Sequence, residues 1–324
     1  LSASPPEIRF DDVVKTFGGA ARAAVNGVTL SIPGGTFAVI LGPSGCGKTT
    51  LLKTVNRLIE PSSGFIFVGG VDTASVDPVR LRRGMGYVIQ NVGLFPHMTV
   101  SENIATVPRL VGQDDAQIRR RVDELLDLVH LPPAEYRERR PRALSGGQQQ
   151  RVGLARALAA DPPILLMDEP FGAVDAIERT HLQDEVAALH AQRARTVLFV
   201  THDVDEAFRL ADLLIVMRDG RVEQSAPPLA MLARPATAFV SDLIGADDVV
   251  RRLRAIHVSA ALEPAGETDA ADEPSVDSHA SLGDALSLLL DGAARLAVRD
   301  GADLRGVITV AGILRAARRG ATAS

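Results

Sequence analysis

"TFAVILGPSGCGKTT", residues 36–50, decides how the rest of the chain is read. The run from Phe37 to Leu41 is apolar and ends at a glycine, which suits a strand buried on both faces of a parallel sheet. Gly42, Gly47, Lys48 and Thr49 then match G-x-x-x-x-G-K-[ST], with Pro43, Ser44, Gly45 and Cys46 between them and Thr50 just after. Such a loop lets successive backbone N–H groups close on phosphate oxygens, and the helix it opens points the positive end of its dipole at the same place. Lys48 supplies a mobile positive charge, and the Thr49 hydroxyl is a ligand of the kind Mg²⁺ takes beside a nucleotide. ATP with Mg²⁺ is the expected ligand.

Working outward, four more apolar runs read as buried strands: "GYVIQ" (86–90), "ILLMDE" (164–169), "TVLFVTH" (196–202) and "LLIVM" (213–217). Helical segments, among them 48–56 and 177–192, separate them. This alternation predicts an α/β fold with a mainly parallel sheet and its chemistry at the carboxyl ends of the strands. Upstream, "EIRFDDVV" (7–14) and "AVNGVTLSI" (24–32) read as short strands between glycine turns, an antiparallel β subdomain. Residues from about 93 to 145 are polar, helical and free of strand signal, and read as a helical insert.

The strand ends carry the candidate chemistry. In "MDEP" Asp168 is placed to hold Mg²⁺, through water, and Glu169 to polarise an attacking water as general base. Gln90 closes "GYVIQ", where an amide can reach the metal or the water. His202, in "VTHD", follows a strand on the same edge, within range of a γ-phosphate. Phe17 in "KTFGG" is read either as a platform for adenine or as core. Cys46 lies near a helix N-terminus, an environment that favours the thiolate.

Composition narrows the field. The chain has 324 residues, enough for two domains, and 46% are hydrophobic. Its formal net charge of −5 argues against nucleic acid as a partner. Arginine-rich patches at 79–83, 118–121, 136–142 and 249–254 lack interleaved aromatics and read as solvated faces. Cys46 is the single cysteine, so no disulfide closes within the chain, and a reducing compartment is expected. No stretch reaches the roughly 18 apolar residues a bilayer demands, and the first ten residues do not read as a secretory signal. A cytoplasmic location is expected, with any membrane role coming through a partner.

"LSGGQQQR" (144–151) is a second glycine-serine turn opening a helix, about a hundred residues from the first. Together these motifs resemble the ATP-binding subunits of ABC transporters, over residues 7 to about 244, and that resemblance explains the second turn. It implies a P-loop NTPase fold of RecA-like type and a head-to-tail dimer of two copies. Ser145 and Gly147 of one copy would cap the γ-phosphate held by Lys48 of the other, with Gly146 and Gln148 in the same nucleotide-binding turn. "FGAVD" (171–175) resembles the loop whose aspartate, here Asp175, crosses the same interface; Val174 stands where many relatives have leucine. A permease in the cell membrane, on whose inner face the chain would sit, and a solute-binding protein follow as implied partners. "TVNRLIEPSSG" (54–64), "NVGLFPHMTVSENIATVPRLVG" (91–112) and "LLMDEPFGAVDAI" are similar to importers of glycine betaine, carnitine, choline and related osmoprotectants.

After Gly245 the character changes. "LEPAGETDAADEPSVDSHAS" (262–281) is acidic, lacks hydrophobic period and reads as a mobile linker or long loop. The remainder, helix–strand–strand–helix, resembles one copy of the CBS motif, giving domains 1–244 and 245–324. Gly312 stands where that motif commonly has a ribose-binding aspartate. Two rival functions remain open: a non-transport ABC protein acting on DNA or ribosomes, and a ligand sensor with the ATPase as its output. Neither the long coiled-coil insert nor the fused second half typical of the former is present, and uptake of another small solute such as an amino acid stays an alternative substrate.

Overall fold

The computed structural model describes residues 5–90, 93–193, 195–246, 253–254, 256–264, 273–291, 293–301 and 303–320, with side chains to 316. The chain divides into two compact units, Leu1–Ser225 and Ala226–Ser324. In the first, the elements run β1 (Ile8–Lys15), β2 (Val25–Ile32), β3 (Phe37–Leu41), α1 (Lys48–Val55), β4 (Ser63–Val68), β5 (Val71–Asp72), α2 (Pro78–Arg83) and β6 (Met85–Val88). They continue with α3 (Val100–Leu110), α4 (Asp115–Leu128), α5 (Pro133–Tyr136), α6 (Gly146–Leu158), β7 (Ile164–Asp168), α7 (Ala176–Gln192), β8 (Thr196–Thr201), α8 (Val204–Leu210), β9 (Leu213–Arg218) and β10 (Arg221–Ala226).

A six-stranded sheet has the order β10-β9-β3-β8-β7-β6, and β6, β7, β8, β3 and β9 pair in parallel. Every residue of β3, β7 and β8 is buried, as continuous apolar runs in a covered parallel sheet require. β10 returns beside β9 through Asp219–Gly220, both at positive φ, the conformation a tight two-residue hairpin turn demands. A second, antiparallel sheet of order β2-β1-β4-β5 stands apart from it. One core joins Phe10, Val28, Leu30 and Ile66 of this sheet to Ile40, Leu198 and Ile215 of the other, with Leu51, Leu52 and Val55 of α1 in the same cluster. Full burial of each of those α1 side chains contributes about 1.5–3 kcal/mol and fixes the helix that opens at Lys48.

The insert is helical, as its sequence predicts. α3 starts at a capping box between Thr99 and Glu102, and α4 at Asp114, whose carboxylate accepts from Ala116 and Gln117. Ile118, Val122, Leu125 and Leu126 make the buried stripe of α4.

The second unit holds α9 (Pro228–Ala233) and α10 (Ala238–Ile244), which the sequence reading assigned to the preceding domain. Beyond them Ser275–Asp277 pairs in parallel with Leu296–Asp300, which pairs antiparallel with Asp303–Ile308; helices Leu282–Leu290 and Val310–Gly320 accompany this sheet. Its core gathers Val258, Val276, Leu282, Leu296, Val298, Ile308 and Ile313. The expected linker is therefore shorter than 262–281. Glu263 exchanges backbone hydrogen bonds with Val307, Val276 is buried, and Ser281 caps the following helix with Asp284. One buried valine among polar residues gives no period to read. Residues 265–272 of that stretch, and 249–252 of the last arginine patch, lie outside the described residues. Among the described residues, no helix is long and apolar enough to cross a membrane.

Candidate nucleotide site

The loop after β3 is shaped by close approach. Gly47 has a φ of 104°, and a Cβ there would come within 2.1 Å of the Ala24 carbonyl oxygen, so only glycine fits. It precedes α1 without any side-chain cap, which leaves the first N–H groups of that helix, from Lys48, Thr49 and Thr50, directed into the loop for an anion. The buried Lys48 ammonium donates to the carbonyls of Gly42 (2.7 Å) and Pro43 (3.0 Å), which turns the side chain back toward the start of the loop.

Cys46 corrects the sequence reading. Its thiol is 5% exposed, and burial pushes its pKa up, against the lowering pull of Lys48. Desolvation outweighs the helix terminus, so the group is a neutral, packed thiol. Its backbone N–H donates to the Pro43 carbonyl at 3.3 Å, and its carbonyl accepts from the Gly220 N–H at 3.0 Å.

Thr49 and Asp168 meet across the sheet: the Thr49 hydroxyl donates to Asp168 Oδ1 at 2.7 Å. The other oxygen, Oδ2, is buried without a hydrogen-bond partner, with Lys53 Nζ 3.8 Å away. Burial raises the Asp168 pKa, opposed by the Thr49 hydrogen bond and by Lys53. An unsatisfied carboxylate oxygen beside a hydroxyl is a hard-oxygen donor set that suits Mg²⁺. Among the described residues no cluster of three or more His, Cys, Asp or Glu could hold a metal, so phosphate oxygens and water would have to complete such a site.

One residue further, Glu169 collects the remaining candidates. Its Oε2 accepts from Gln90 Nε2 at 3.2 Å, and its Oε1 lies 3.3 Å from His202 Nδ1. Three side chains drawn from three strand ends thus form one cluster. Glu169 has a φ of 47°, in the left-handed region, and its N–H donates to the Val200 carbonyl at 2.9 Å. Phe17 is 45% exposed with Lys15 Nζ 5.2 Å from its ring, which rules out the core alternative and leaves an open aromatic face.

The second turn is organised within its own helix. Ser145 Oγ accepts from the Gln148 N–H at 3.2 Å and Gln148 Oε1 from the Ser145 N–H at 3.0 Å, a capping box that opens α6. Gln148 Nε2 also donates to the Tyr136 hydroxyl at 3.1 Å. Gly146 and Gly147, without side chains, bare the helix's first N–H groups. Asp175 is likewise the N-cap of α7, accepting from Glu178 at 3.1 Å. Sequence reading missed Lys53 and, more consequentially, Gln150. The only available signal was helical phase: Gln150 shares its face with Leu154, Ala157 and Leu158, an amide in an apolar stripe.

Comparison with known proteins shows the family. A family model described as ABC transporter matches residues 25–172. Over 249 residues the chain is 50% identical to the osmoprotectant import ATP-binding protein OsmV of Salmonella typhimurium, covering 76% of this chain and 65% of that protein. It is 50% identical over 243 residues to the carnitine transport ATP-binding protein OpuCA of Listeria monocytogenes, covering 75% and 61%. With the glycine betaine uptake system ATP-binding protein YehX of Escherichia coli it shares 48% over 283 residues, covering 87% and 90%. The chain thus spans less than two thirds of the length of OsmV and OpuCA. A solved dimeric ATP-binding cassette in a post-hydrolysis state, bound to ADP and Pi, superposes with a TM-score of 0.64 at 32% identity, covering 68% of this chain and 98% of that one.

Proposed function

This chain belongs to the family of ABC transporter ATP-binding subunits, and we propose that it hydrolyses ATP to drive uptake of a small osmoprotectant such as glycine betaine, carnitine or choline. The observation that carries the reading is the convergence of Gln90, Glu169 and His202 beside the Thr49–Asp168 hydrogen bond at the mouth of the 42–50 loop. The names of the relatives support the solute class.

In this reading the loop N–H groups and Lys48 grip the triphosphate, and Phe17 stacks on the base. Thr49 and Asp168 would hold Mg²⁺, which when bound neutralises phosphate charge. Glu169 accepts the proton of the attacking water, Gln90 orients that water, and His202 contacts the γ-phosphate. Ser145 and Gly147 of a second copy close the site head to tail, the N-terminal dipole of α6 facing the phosphate. Closure and opening of the pair move a separate permease, and the chain sits on the inner face of the membrane through that contact. A solute-binding protein selects the solute. Residues 245–324 act as a regulatory unit.

The test is Glu169→Gln. Hydrolysis should fall about 10²–10⁴-fold, the usual worth of a general base, while ATP still binds. Turnover within threefold of wild type would refute the assignment. Uptake of labelled glycine betaine, carnitine and choline by cells with and without the chain tests the solute class, and unchanged uptake of all three would remove it.

A further inference from the structure

Gln150 lies inside α6, one turn past the Ser145 cap, and is 2% exposed. Both ends of its amide are used. Nε2 donates to the Glu169 carbonyl at 3.0 Å, and Oε1 accepts from the Ala173 N–H at 2.8 Å. Neither bond belongs to the helix: each reaches the segment after β7, where Glu169 and, two residues beyond Ala173, Asp175 stand.

The Glu169 bond matters because of where it falls. A left-handed φ of 47° is costly for a residue with a side chain and persists only where surrounding bonds over-determine it. Here the Glu169 N–H is held by the Val200 carbonyl, and its C=O accepts from the Gln150 amide at 3.0 Å and from the Gly172 N–H at 3.3 Å, of which Gln150 alone reaches it from α6. The backbone at Cα sets the Cα–Cβ direction from which the side chain reaches Gln90 and His202. Holding this residue from both sides therefore sets where Oε1 and Oε2 stand relative to His202 and Gln90.

We propose that Gln150 is a positioning residue for Glu169, coupling α6 to the general base of its own chain. The inference rests on the function proposed above, in which the N-terminus of α6 faces the nucleotide held by the partner copy. A shift of α6 as that nucleotide docks is passed through one buried amide to the carboxylate and to the 171–175 loop. The second turn then serves both sites: Ser145 and Gly147 the partner's, Gln150 its own.

The test is a cycle of Gln150→Met, Gln150→Glu and Glu169→Gln in the full chain, read by steady-state and single-turnover hydrolysis. Methionine keeps the volume and loses both bonds; glutamate keeps the acceptor for Ala173 and loses the donor to Glu169. Both should lower kcat about 10–100-fold, the scale of a misplaced catalytic group, with KM for ATP within about twofold of wild type. On the Glu169→Gln background, Gln150→Met should add no further loss, because it acts through the group already removed. Wild-type kcat in either folded variant, a loss borne by KM, or an additive loss on that background would overturn the positioning role. Wild-type hydrolysis in Glu169→Gln alone would instead strike the reading on which it rests.

Discussion

Thr49 and Asp168, 119 positions apart, are joined by a hydrogen bond of 2.7 Å between hydroxyl and carboxylate. The bond spans the sheet, because β8 lies between β3, whose loop leads to Thr49, and β7, which ends at Asp168. It satisfies one oxygen of a fully buried carboxylate and leaves the other without a hydrogen-bond partner, with Lys53 Nζ 3.8 Å away. A half-satisfied buried charge is a stability cost, and in the function proposed above Mg²⁺ would offset it.

Asp168→Asn should therefore raise the melting temperature of the nucleotide-free protein at neutral pH. The folded-state pKa of Asp168 is raised by burial. Its stabilising contribution is thus present in the protonated form, below the ordinary aspartate pKa, and is lost as pH rises through the shifted value. At neutral pH the wild type bears the cost and asparagine does not; each ~1 kcal/mol of relief is worth about 2–4 °C in a unit of this size. The further rise given by Mg-ATP should shrink in the variant. Scanning calorimetry with and without Mg-ATP checks both parts, and a lower melting temperature for nucleotide-free Asp168→Asn would contradict the account.

Cys46 gives the opposite expectation to the one its place in the loop suggests. With the thiol buried and its pKa raised, iodoacetamide at pH 8 should label the folded chain at least about tenfold more slowly than the unfolded chain, since the thiolate is the nucleophile. Labelling should accelerate as pH climbs past the ordinary thiol range. Equal rates for folded and unfolded chains would show the sulfur to be exposed and ionised.

What could be read in the sequence was what local pattern carries. The 42–50 loop between a buried strand and a helix, and the polar residues closing 86–90, 164–169 and 196–202, are signalled by adjacent residues. β4 carries no such signal, because Phe65 is 58% exposed and half-burial breaks the alternation; β5 is two residues long, and β10 is exposed or half-buried throughout. Gln150 looks like its two neighbours in "QQQ" until helical phase turns it inward. The cap roles of Ser145 and Asp175 follow from helix starts that the sequence also marks, yet the resemblance drew attention to their place in a dimer instead. Burial decided Cys46, and burial is a property of the fold.

If the second turn closes a partner's site as proposed, Ser145→Arg should abolish hydrolysis and spare nucleotide binding, because Lys48 and Thr49 are untouched while a bulky cation would stand where the partner's γ-phosphate docks. Ser145 also caps α6, so Ser145→Ala is the control: it loses only the cap, worth about 1 kcal/mol. Mixed with Lys48→Ala chains, Ser145→Arg should regain activity, since one intact site can form per heterodimer. ATP affinity falling in parallel with activity would place the turn in its own chain's site.

The C-terminal unit should bind no adenine nucleotide, and Gly312 shows why. A Cβ at Gly312 would lie 3.1 Å from the Ala261 carbonyl oxygen and 3.3 Å from Glu263 Oε1. Glu263 already occupies that end of the helix: its Oε2 accepts from the Thr309 hydroxyl at 3.1 Å, its Oε1 pairs with Arg315, and Thr309 Oγ1 accepts from the Gly312 N–H at 3.0 Å. A carboxylate at 312 would be crowded and set beside a like charge, and the one carboxylate present is held by its own neighbours. Titration of the full-length Lys48→Ala chain with AMP, which lacks the β- and γ-phosphates that the 42–50 loop would grip, should give no calorimetric binding. Gly312→Asp should create none and should cost about 1–3 kcal/mol, the usual penalty for overfilling a packed position. Micromolar binding in the Lys48→Ala chain that disappears on Glu263→Gln would show instead that Glu263 serves as the ligand-binding acid.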